Sequence, residues 1–369
     1  MPNTQSTNLS IGIVGLPNVG KSTLFNALLK KQVAFAASYP FATIEPNIGI
    51  IEVSDNRVLG LAELVRKEYK KYPDKIVPAA VKFVDIAGLV KGASHGEGLG
   101  NKFLDHIRKV DAIIHLLRVF DDENVARAGS TTPQEDKEVI NTELILADLE
   151  VLEKRMAKES RNARSGDKDA LLKYETYKKM QKHLNSGRLG LTLELSTSEK
   201  EAIKDLNLLT SKPVLYVFNI SEDAFIEEEN LELSKKLDGV PICAKLEAEL
   251  AGLSEDERKE YMKELGLEEF GLNKIIRKSF DLLDLQTFFT YCAKEVCARP
   301  IKRGSTALQA AGKVHTDFER GFIAAQIVSY EVLVKLEGWK NTREKGLVRS
   351  EGKDYTMQEG DVVEFRFSV

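Results

Sequence analysis

GLPNVGKS, residues 15–22, lies between an apolar run, residues 11–14, and a stretch typical of a helix, residues 23–29. Its spacing is that of a GxxxxGKS/T phosphate-binding loop, in which glycines let backbone N–H groups surround a phosphate and a helix start adds partial positive charge. Lys21 is placed to reach the β- and γ-phosphates of a nucleotide, and Ser22 to ligate Mg²⁺. The order of strand, loop and helix therefore predicts a P-loop nucleotide-binding domain.

Composition limits the remaining possibilities. The chain has 369 residues, of which 43% are hydrophobic and 30% charged, enough for two or three domains with apolar cores. Its net charge of −4 argues against a surface that coats nucleic acid, so any contact with RNA must be local, and DNA is not expected as a partner. Cys243, Cys292 and Cys297 lack the spacing of metal ligands and are typical of packing residues in a reducing compartment.

The N-terminal segment and the apolar runs predict where the protein resides. Residues 1–8 are polar and show no export or transit signal. No apolar run reaches the roughly 18 residues that a membrane-spanning helix needs. We therefore expect a cytoplasmic protein without a membrane partner.

Short apolar runs alternate with helical segments along much of the chain. Near-continuous apolar runs are typical of strands buried on both faces, and this alternation predicts an α/β fold with a parallel sheet. The runs are residues 11–14, 81–84, 112–117, 214–218 and 241–244. Several of them end where a chemical motif begins, as expected because ligands of open α/β sheets bind at the carboxyl ends of the strands.

A long interruption between the third and fourth runs, residues 125–207, is rich in Lys, Glu, Leu and Ala. Apolar residues from Ile145 to Met156 follow a 4, 3, 4 spacing, which resumes after a break at residues 165–167. This pattern predicts an antiparallel helical hairpin with arms of about 20 residues, which would extend roughly 30 Å. The alternative is a charged helix that packs back on the body of the protein.

After residue 280 the pattern changes to short β-rich segments with turns, including a terminal hairpin that leads into residues 362–367. This change predicts a small α+β domain. The expected organisation is a nucleotide-binding domain in two parts, a helical insertion and a C-terminal domain. Their bounds are residues 1–124 and 208–282 for the two parts, 125–207 for the insertion and 283–369 for the C-terminal domain.

Two further segments predict groups around the γ-phosphate and Mg²⁺. Asp85 and Gly88 form a DxxG motif at the end of the second run, where a carboxylate can hold Mg²⁺ through water and the glycine lets an N–H approach the γ-phosphate. Thr43 lies in the connection that would supply a second hydroxyl ligand, and Ser38 is the other hydroxyl placed similarly.

Hydrolysis requires a group that positions water. Leu89 follows the DxxG motif where Ras-like GTPases carry a glutamine, so intrinsic turnover should be slow. His95, in a glycine-rich segment, is the candidate replacement and joins Lys21 and Gly88 as a candidate catalytic residue; the alternative is a solvated histidine of a mobile segment. Asn18 could instead help to place K⁺, a further candidate cofactor, against the phosphates.

The motif that selects the base follows the fourth run as Asn219, Ile220, Ser221 and Glu222, where guanine-binding proteins carry Asn-Lys-x-Asp. In those proteins the aspartate accepts two hydrogen bonds from guanine and the lysine stem covers the ring. Here isoleucine replaces the lysine, and Glu222 is one methylene longer than aspartate. A buried polar mismatch costs about 1 to 3 kcal/mol, enough to remove a preference for guanine. We therefore predict that ATP is preferred, or at least not disfavoured, over GTP.

These motifs resemble those of the YchF family of P-loop proteins, in the Obg-related branch of the translation-factor GTPases. The resemblance covers essentially the whole chain. It rests on GLPNVGKST (15–23), PFATIEPN (40–47), DIAGLVKGAS (85–94), GEGLGN (96–101), the altered base motif (219–222), GKVHTDFERGF (312–322) and GKDYTMQEGDVVEF (352–365). A hydrophobic residue at position 89 is a trait of this family.

The resemblance implies a P-loop G domain with a parallel-dominated sheet, an inserted helical hairpin and a C-terminal α+β TGS domain of ubiquitin-like (β-grasp) fold. It further implies ATP hydrolysis, association with the large ribosomal subunit or the whole ribosome, and a role in translation or stress response. By position it implies that Ser22 and Thr43 bind Mg²⁺ and that Ile220 and its neighbours line the base pocket. The residues implied to bind phosphate are Asn18, Val19, Gly20, Lys21, Ser22 and Thr23.

Three hypotheses about function follow. In the first, the protein is a Mg²⁺-dependent, ribosome-associated ATPase whose γ-phosphate orders mobile segments, so that the hairpin and the C-terminal domain report the nucleotide state. In the second, the fold is the same and GTP is the ligand. In the third, the protein is a binding module in which the nucleotide is structural.

Overall fold

The computed structural model describes residues 9–36, 47–86, 99–120, 131–164, 167–222, 239–251, 253, 255–264 and 269–368. Two six-stranded sheets organise these residues. The strands are β1 Ser10–Val14, β2 Ile48–Glu52, β3 Lys75–Val77, β4 Ala80–Asp85, β5 Ala112–Arg118, β6 Val214–Asn219, β7 Gly239–Ile242, β8 Leu285–Tyr291, β9 Glu295–Lys302, β10 Phe322–Ser329, β11 Arg349–Glu351 and β12 Asp361–Phe367. The helices are α1 Lys21–Ala36, α2 Asn56–Tyr69, α3 Leu99–Lys109, α4 Pro133–Arg164, α5 Lys168–Asn185, α6 Thr197–Ile203, α7 Ala244–Leu250, α8 Glu255–Glu264, α9 Gly271–Leu282, α10 Ala307–Val314, α11 Thr316–Arg320, α12 Tyr330–Lys335 and α13 Trp339–Glu344.

The first sheet has the strand order β2-β4-β1-β5-β6-β7. Each of the five predicted apolar runs contributes to a strand of this sheet, the fifth only through its first two residues, and these five strands run parallel to one another. Every residue of β1 and β5 is buried, which explains their continuous apolar sequence. The predicted α/β class with a parallel-dominated sheet is therefore confirmed.

The β2 strand, which was not predicted from the sequence, pairs antiparallel with β4 at the edge of this sheet. Its residues alternate between buried and half-buried, so it lacks the continuous apolar run that marks the five parallel strands. The alternation over five residues is a weak signal, and an antiparallel strand at the edge of a parallel sheet is a common addition.

Helices on the first sheet complete its core. Leu24 and Leu28 of α1, Ile107 of α3 and Ile275 of α9 are fully buried in the same cluster as Ile13 of β1. Burial of these side chains is what fixes the helices against the sheet, at roughly 25 cal/mol per Å² of apolar surface removed from water. Among the described residues, no helix combines the length and the apolar character needed to cross a membrane.

The predicted helical hairpin is confirmed as α4 and α5, but its arms are unequal, with 32 and 18 residues. Asp167 starts α5 by accepting hydrogen bonds from the N–H groups of Asp169 and Ala170. The first part of α4 packs on the body of the protein, because Ile140 and Leu144 belong to the main core. Its later part pairs with α5 in a separate apolar cluster. That cluster contains Ile145, Leu152, Tyr177, Met180 and Leu184.

The second sheet has the order β11-β10-β12-β8-β9-β3. Within it, β12 lies between β10, to which it is antiparallel, and β8, to which it is parallel, as the expected ubiquitin-like topology requires. The expected terminal hairpin is wrong, because the strand before β12 pairs with β10 and not with β12. The turn at residues 359–361 was a correct signal for the start of a strand, but local sequence does not identify a strand's partner.

The outer strand of the second sheet comes from the nucleotide-binding part of the chain. β3 pairs in parallel with β9, and the Lys75 N–H donates to the Lys294 carbonyl at 3.0 Å. After Pro78 and Ala79 the chain continues into β4 of the first sheet, and this strand ends at Asp85. The β3 strand was not predicted from the sequence, because its three residues are too few to show a period.

The α2 helix provides further contacts with the C-terminal sheet. The Arg57 guanidinium pairs with Asp55 at 2.7 Å and with Glu359 at 2.5 Å, and it lies 4.9 Å from the centre of the Phe289 ring. Nearer the C-terminal end of α2, the Tyr291 hydroxyl of β8 donates to the Glu68 carboxylate at 3.0 Å. The two sheets are thus joined by both backbone and side-chain bonds.

Candidate nucleotide-binding site

The loop after β1 has the backbone conformation that a phosphate-binding turn needs. Asn18 and Gly20 have φ values of 64° and 92°. Glycine adopts this left-handed region without steric cost, and asparagine tolerates it better than most residues, so the glycine–asparagine pattern matches the turn. Between them, the Val19 side chain is buried in the core, so that only its backbone is available to a ligand at the loop surface.

Asn219 ties this loop to the neighbouring strand ends. Its Nδ2 donates to the Val19 carbonyl at 2.9 Å, and its Oδ1 accepts from the Ala244 N–H at 2.9 Å. A Cβ on Gly20 would lie 2.2 Å from the Asn219 Nδ2, so the position also excludes any larger residue. The Asn219 amide, predicted to contact the base, thus positions the phosphate loop against the start of α7.

The structure brings Lys21 and Asp85 together. The Lys21 ammonium forms an ion pair with the Asp85 carboxylate, and both side chains are largely buried. Parallel pairing of β1 and β4 places Asp85 beside Ile13, one residue before the end of β1, which explains this contact. Ser22 and Thr23 follow Lys21 in the first turn of α1, and both are exposed. The ammonium and the carboxylate predicted to act on phosphate and Mg²⁺ therefore meet at the carboxyl ends of two adjacent strands.

The predicted base motif occupies the end of β6. Ile220 is 4% exposed and packs in a small apolar cluster with Leu117 and Phe218. Its N–H donates to the Ile242 carbonyl at 2.8 Å, which fixes the chain just after β6 against the end of β7. Ser221 is half-buried and Glu222 is exposed, so the carboxylate is accessible to a ligand while the isoleucine side chain is packed.

Cys243 and Ala244 were not among the predicted site residues. The fifth apolar run, predicted to be a strand through residue 244, ends as a strand at Ile242, and a helix begins at Ala244. Cys243 is buried, and burial raises the pKa of its thiol, with the nearby Glu222 carboxylate acting in the same direction. The rule that motifs follow strand ends, applied to this run as to the others, would have identified this turn as part of the site.

The far end of α1 is fixed by a cluster of polar groups. The Lys30 ammonium donates to the Ala248 carbonyl at 2.9 Å, and the Lys31 ammonium donates to the Asn273 side chain. Glu247 accepts from the Gly271 N–H at 2.6 Å and thereby caps α9. Burial raises the pKa of the Glu247 carboxyl to about 7. These bonds hold the helix of the phosphate loop against α7 and α9.

Other predicted site residues lie outside the described part of the chain. These are Thr43 and its alternative Ser38, the glycine Gly88, and Leu89 and His95. Their roles stay predictions.

Two family profiles match this chain. Residues 10–163 match a family described as "50S ribosome-binding GTPase". Residues 285–368 match the YchF-GTPase_C family, described as "Protein of unknown function (DUF933)". Together the two matches include the phosphate loop, the first part of the hairpin and the C-terminal sheet.

Relatives of the full length support the same assignment. A Bacillus subtilis protein named "Ribosome-binding ATPase YchF" is 47% identical over 371 residues, covering 98% of this chain and 100% of the relative. An Escherichia coli O157:H7 protein of the same name is 48% identical, covering 97% of this chain and 99% of the relative. The solved structure of the Schizosaccharomyces pombe YchF GTPase superposes with a TM-score of 0.86 at 34% identity and covers 98% of both chains. The chain therefore belongs to the YchF family.

Proposed function

We propose that this chain is a Mg²⁺-dependent, ribosome-binding ATPase that acts as a nucleotide-gated switch in translation or stress response. The observation that carries this proposal is the convergence of Lys21, Asp85 and Asn219 at the carboxyl ends of three parallel strands. Relatives named as ribosome-binding ATPases share nearly half of its residues over almost the full length. We further propose that it acts in the cytoplasm.

The phosphate loop would hold the triphosphate through backbone N–H groups of residues 18–23, and Lys21 would exchange the Asp85 carboxylate for phosphate oxygens. The donor set fits Mg²⁺, because Ser22 offers a hydroxyl at the helix start and Asp85 a carboxylate, and both are hard oxygen ligands. Thr43 would supply a second hydroxyl, and Asp85 would act through water. Bound Mg²⁺ would neutralise the charge that develops on the phosphates during transfer. K⁺, placed by Asn18, is a further candidate for this role.

Base selection would depend on residues 219–222 and on the turn at Cys243. The Ile220 side chain is buried and carries no ammonium group. It therefore cannot cover the base as the lysine stem does in guanine-binding proteins. Glu222 is exposed and one methylene longer than the aspartate that guanine binders use. The two replacements, isoleucine for lysine and glutamate for aspartate, favour ATP or at least remove a preference for GTP.

Hydrolysis would proceed slowly without a partner. Leu89 cannot orient water, so His95, K⁺ or a group of the ribosome would do so, with Gly88 and Lys21 acting at the γ-phosphate. A slow intrinsic rate is consistent with a switch, because the triphosphate state then persists until a partner binds.

A GTPase of the same fold is the second candidate. It is favoured by the description of the matched family as a ribosome-binding GTPase and by the name of the Schizosaccharomyces pombe structure. Nucleotide titration separates the two, because tenfold tighter binding of GTP than of ATP would contradict the proposed base preference. The third candidate, a binding module with a structural nucleotide, predicts no multiple turnover under any condition.

The test is turnover of ATP and GTP side by side, with and without ribosomes and with K⁺ or Na⁺. We expect ATP turnover that ribosomes increase and that Lys21→Ala reduces by about 100-fold or more, because the lysine acts on the charge of the phosphates. Asn26→Ala, an exposed position on the same helix, is the matched control and should stay near the wild-type rate. Absence of ribosome binding in both nucleotide states would contradict the proposed partner.

A further inference from the structure

The C-terminal end of α3 is held by two side chains from another segment. The Lys212 ammonium donates to the carbonyls of Val110 at 2.6 Å and Arg108 at 3.2 Å. The Asn207 amide donates to the same Arg108 carbonyl at 3.0 Å and accepts from Lys212 at 3.1 Å. Carbonyls at a helix C-terminus lack partners within the helix and carry partial negative charge, so an ammonium is a suitable partner.

Lys212 is 8% exposed, which is rare for a lysine. Burial lowers its pKa, and the carboxylates of Asp111 and Asp148 oppose this effect. A buried ammonium whose donors go to helix carbonyls is costly to displace, so the position of α3 is fixed relative to residues 207–212.

The same short segment is also bonded to α4. Asp148 is fully buried and accepts from the Leu209 N–H at 2.9 Å and from the Thr210 N–H at 2.8 Å. The Thr210 hydroxyl donates to the same carboxylate at 2.7 Å. Residues 207–212 thus connect α3 to α4, and we refer to Asp148, Asn207, Thr210 and Lys212 as the hairpin joint.

The joint lies where α4 changes its packing partner. Leu144 and Ala147, just before Asp148, belong to the core of the first sheet. Leu152, one turn after it, is fully buried against Tyr177 and other residues of α5. A rotation of the outer part of the hairpin would therefore act first on the bonds of Asp148.

The hairpin joint also contacts α3, which follows β4 and the phosphate site in the chain. α3 is the first described helix after β4, which ends at Asp85, the partner of Lys21. In P-loop switches the segment after this strand changes its order with the γ-phosphate. A change at the start of α3 would be transmitted along a rigid helix to Lys212.

From these contacts we infer that Lys212 is a positioning residue that couples α3 to the helical hairpin, so that the nucleotide state sets the orientation of the hairpin. Coupling is reciprocal, so a partner that holds the hairpin also biases α3 and thereby the rate of hydrolysis. This inference rests on the proposed nucleotide-gated function and specifies how that function reaches the hairpin.

Lys212→Met tests the coupling, because methionine keeps much of the buried stem and removes the ammonium. Hydrogen exchange is measured on the full chain in α5 and the outer part of α4, with ADP and with a non-hydrolysable ATP analogue, without ribosomes. We expect a difference between nucleotides in the wild-type chain that Lys212→Met reduces to near zero, while basal kcat and KM for ATP stay within about twofold. Lys200→Met, an exposed lysine of α6, is the matched control and should keep the difference.

A milder variant covers the case in which Lys212→Met fails to fold. Asn207 has a φ of 45°, so Asn207→Gly fits the backbone and removes one contact with α3. We expect it to reduce the nucleotide-dependent exchange difference by at least half. An unchanged difference in this variant, or a wild-type chain that binds ATP but shows no difference, would overturn the coupling without affecting the proposed ATPase.

A second measurement, of ribosome affinity, tests whether the hairpin joint affects binding of the proposed partner. We expect wild-type ribosome affinity to differ at least fivefold between the two nucleotides, a usual size for such coupling, and Lys212→Met to bring the ratio close to one. A variant that keeps the wild-type ratio would overturn the inference. Loss of ribosome binding by the wild-type chain in both states would instead contradict the proposed function, while hydrogen exchange still decides the coupling.

Discussion

The helical hairpin and the C-terminal sheet are both additions to the first sheet, but they are attached by different kinds of bond. The hairpin is attached at its base by buried side chains, with Asp148 and Lys212 bonded to backbone groups. The C-terminal sheet is attached through its backbone in addition to the side-chain contacts of α2, because β3 pairs with β9 and the same chain continues into β4. Strand pairing fixes register and direction over several residues, whereas a side-chain joint depends on a few groups. We expect the C-terminal sheet to move together with β4, and the hairpin to rotate about the hairpin joint.

The largest expected effect is at the hairpin joint. Asp148→Ala leaves the buried N–H groups of Leu209 and Thr210 without an acceptor, and should lower the free energy of unfolding by about 3 to 4 kcal/mol. Urea unfolding measures this loss. Asp169→Ala, an exposed position on the hairpin, is the control and should change stability by less than about 0.5 kcal/mol. A loss at Asp148 as small as that of the control would mean that side-chain bonds do not hold the hairpin.

The next effect concerns Glu247, which caps the helix that leads into the C-terminal sheet. Burial raises the pKa of Glu247 from 4.5 to about 7, so the folded chain holds a proton there that the unfolded chain releases. The resulting stability is full below pH 4.5 and is lost as the pH rises through about 7. Glu247→Gln does not titrate, so its stability relative to the wild type should rise by about 2 to 3 kcal/mol between pH 5 and pH 8.

Urea unfolding across that pH range gives the comparison. Glu249→Gln on the same helix is the matched control for the loss of one carboxylate, because Glu249 is exposed. Parallel pH profiles of Glu247→Gln and the wild type would contradict the raised pKa.

A smaller effect is expected where α2 meets the C-terminal sheet. Arg57→Met removes the pairs with Asp55 and Glu359 and the guanidinium that lies over the Phe289 ring, at a cost of about 1 to 2 kcal/mol that added salt should reduce. Unfolding at low and high salt measures it. Arg66→Met, whose pair with Glu63 is well exposed, is the control and should cost little. If Arg57→Met cost as much as Asp148→Ala, side chains would hold both attachments and the contrast between them would fail.

The smallest effect tests packing at the same contact. A Cβ on Gly60 would lie 2.1 Å from the Tyr330 hydroxyl oxygen, so Gly60→Ala must displace the tyrosine even though alanine favours the helix by about 1 kcal/mol. We expect a net loss below about 1 kcal/mol in the single variant and a net gain of similar size when Tyr330→Phe is added. Thermal unfolding of the two single variants and the double variant measures this coupling. Equal effects of Gly60→Ala with and without the hydroxyl would show that the close approach has no energetic consequence.

The sequence was informative wherever a residue's role depends on its neighbours along the chain. The phosphate loop and the five parallel strands were predictable because burial on both faces requires continuous apolar runs, and because Gly20 and Lys21 have few alternatives at their positions. The helical hairpin was predictable from the spacing of its apolar residues, although the 32-residue length of α4 was not.

The residues that were missed have roles fixed by distant contacts. Lys212 and Asp148 look like solvated charges in the sequence, and only their tertiary partners show that they are buried. The base contact predicted for Asn219 stays a prediction, but its bonds to Val19 and Ala244 were not predicted, because these residues lie in segments far away in sequence. Nothing local could indicate these partners.

The pairing of β3 with β9 has a consequence for the order in which the chain can fold. Lys75 and Glu295 are neighbours in the sheet but more than 200 residues apart in the chain. During synthesis β3 therefore emerges long before its partner, and its backbone groups stay unpaired until β9 has been made. Contacts of such long range slow folding, and an unpaired strand edge can associate with other chains. A nascent chain that stalls after α9 would expose this edge while its phosphate loop is already complete.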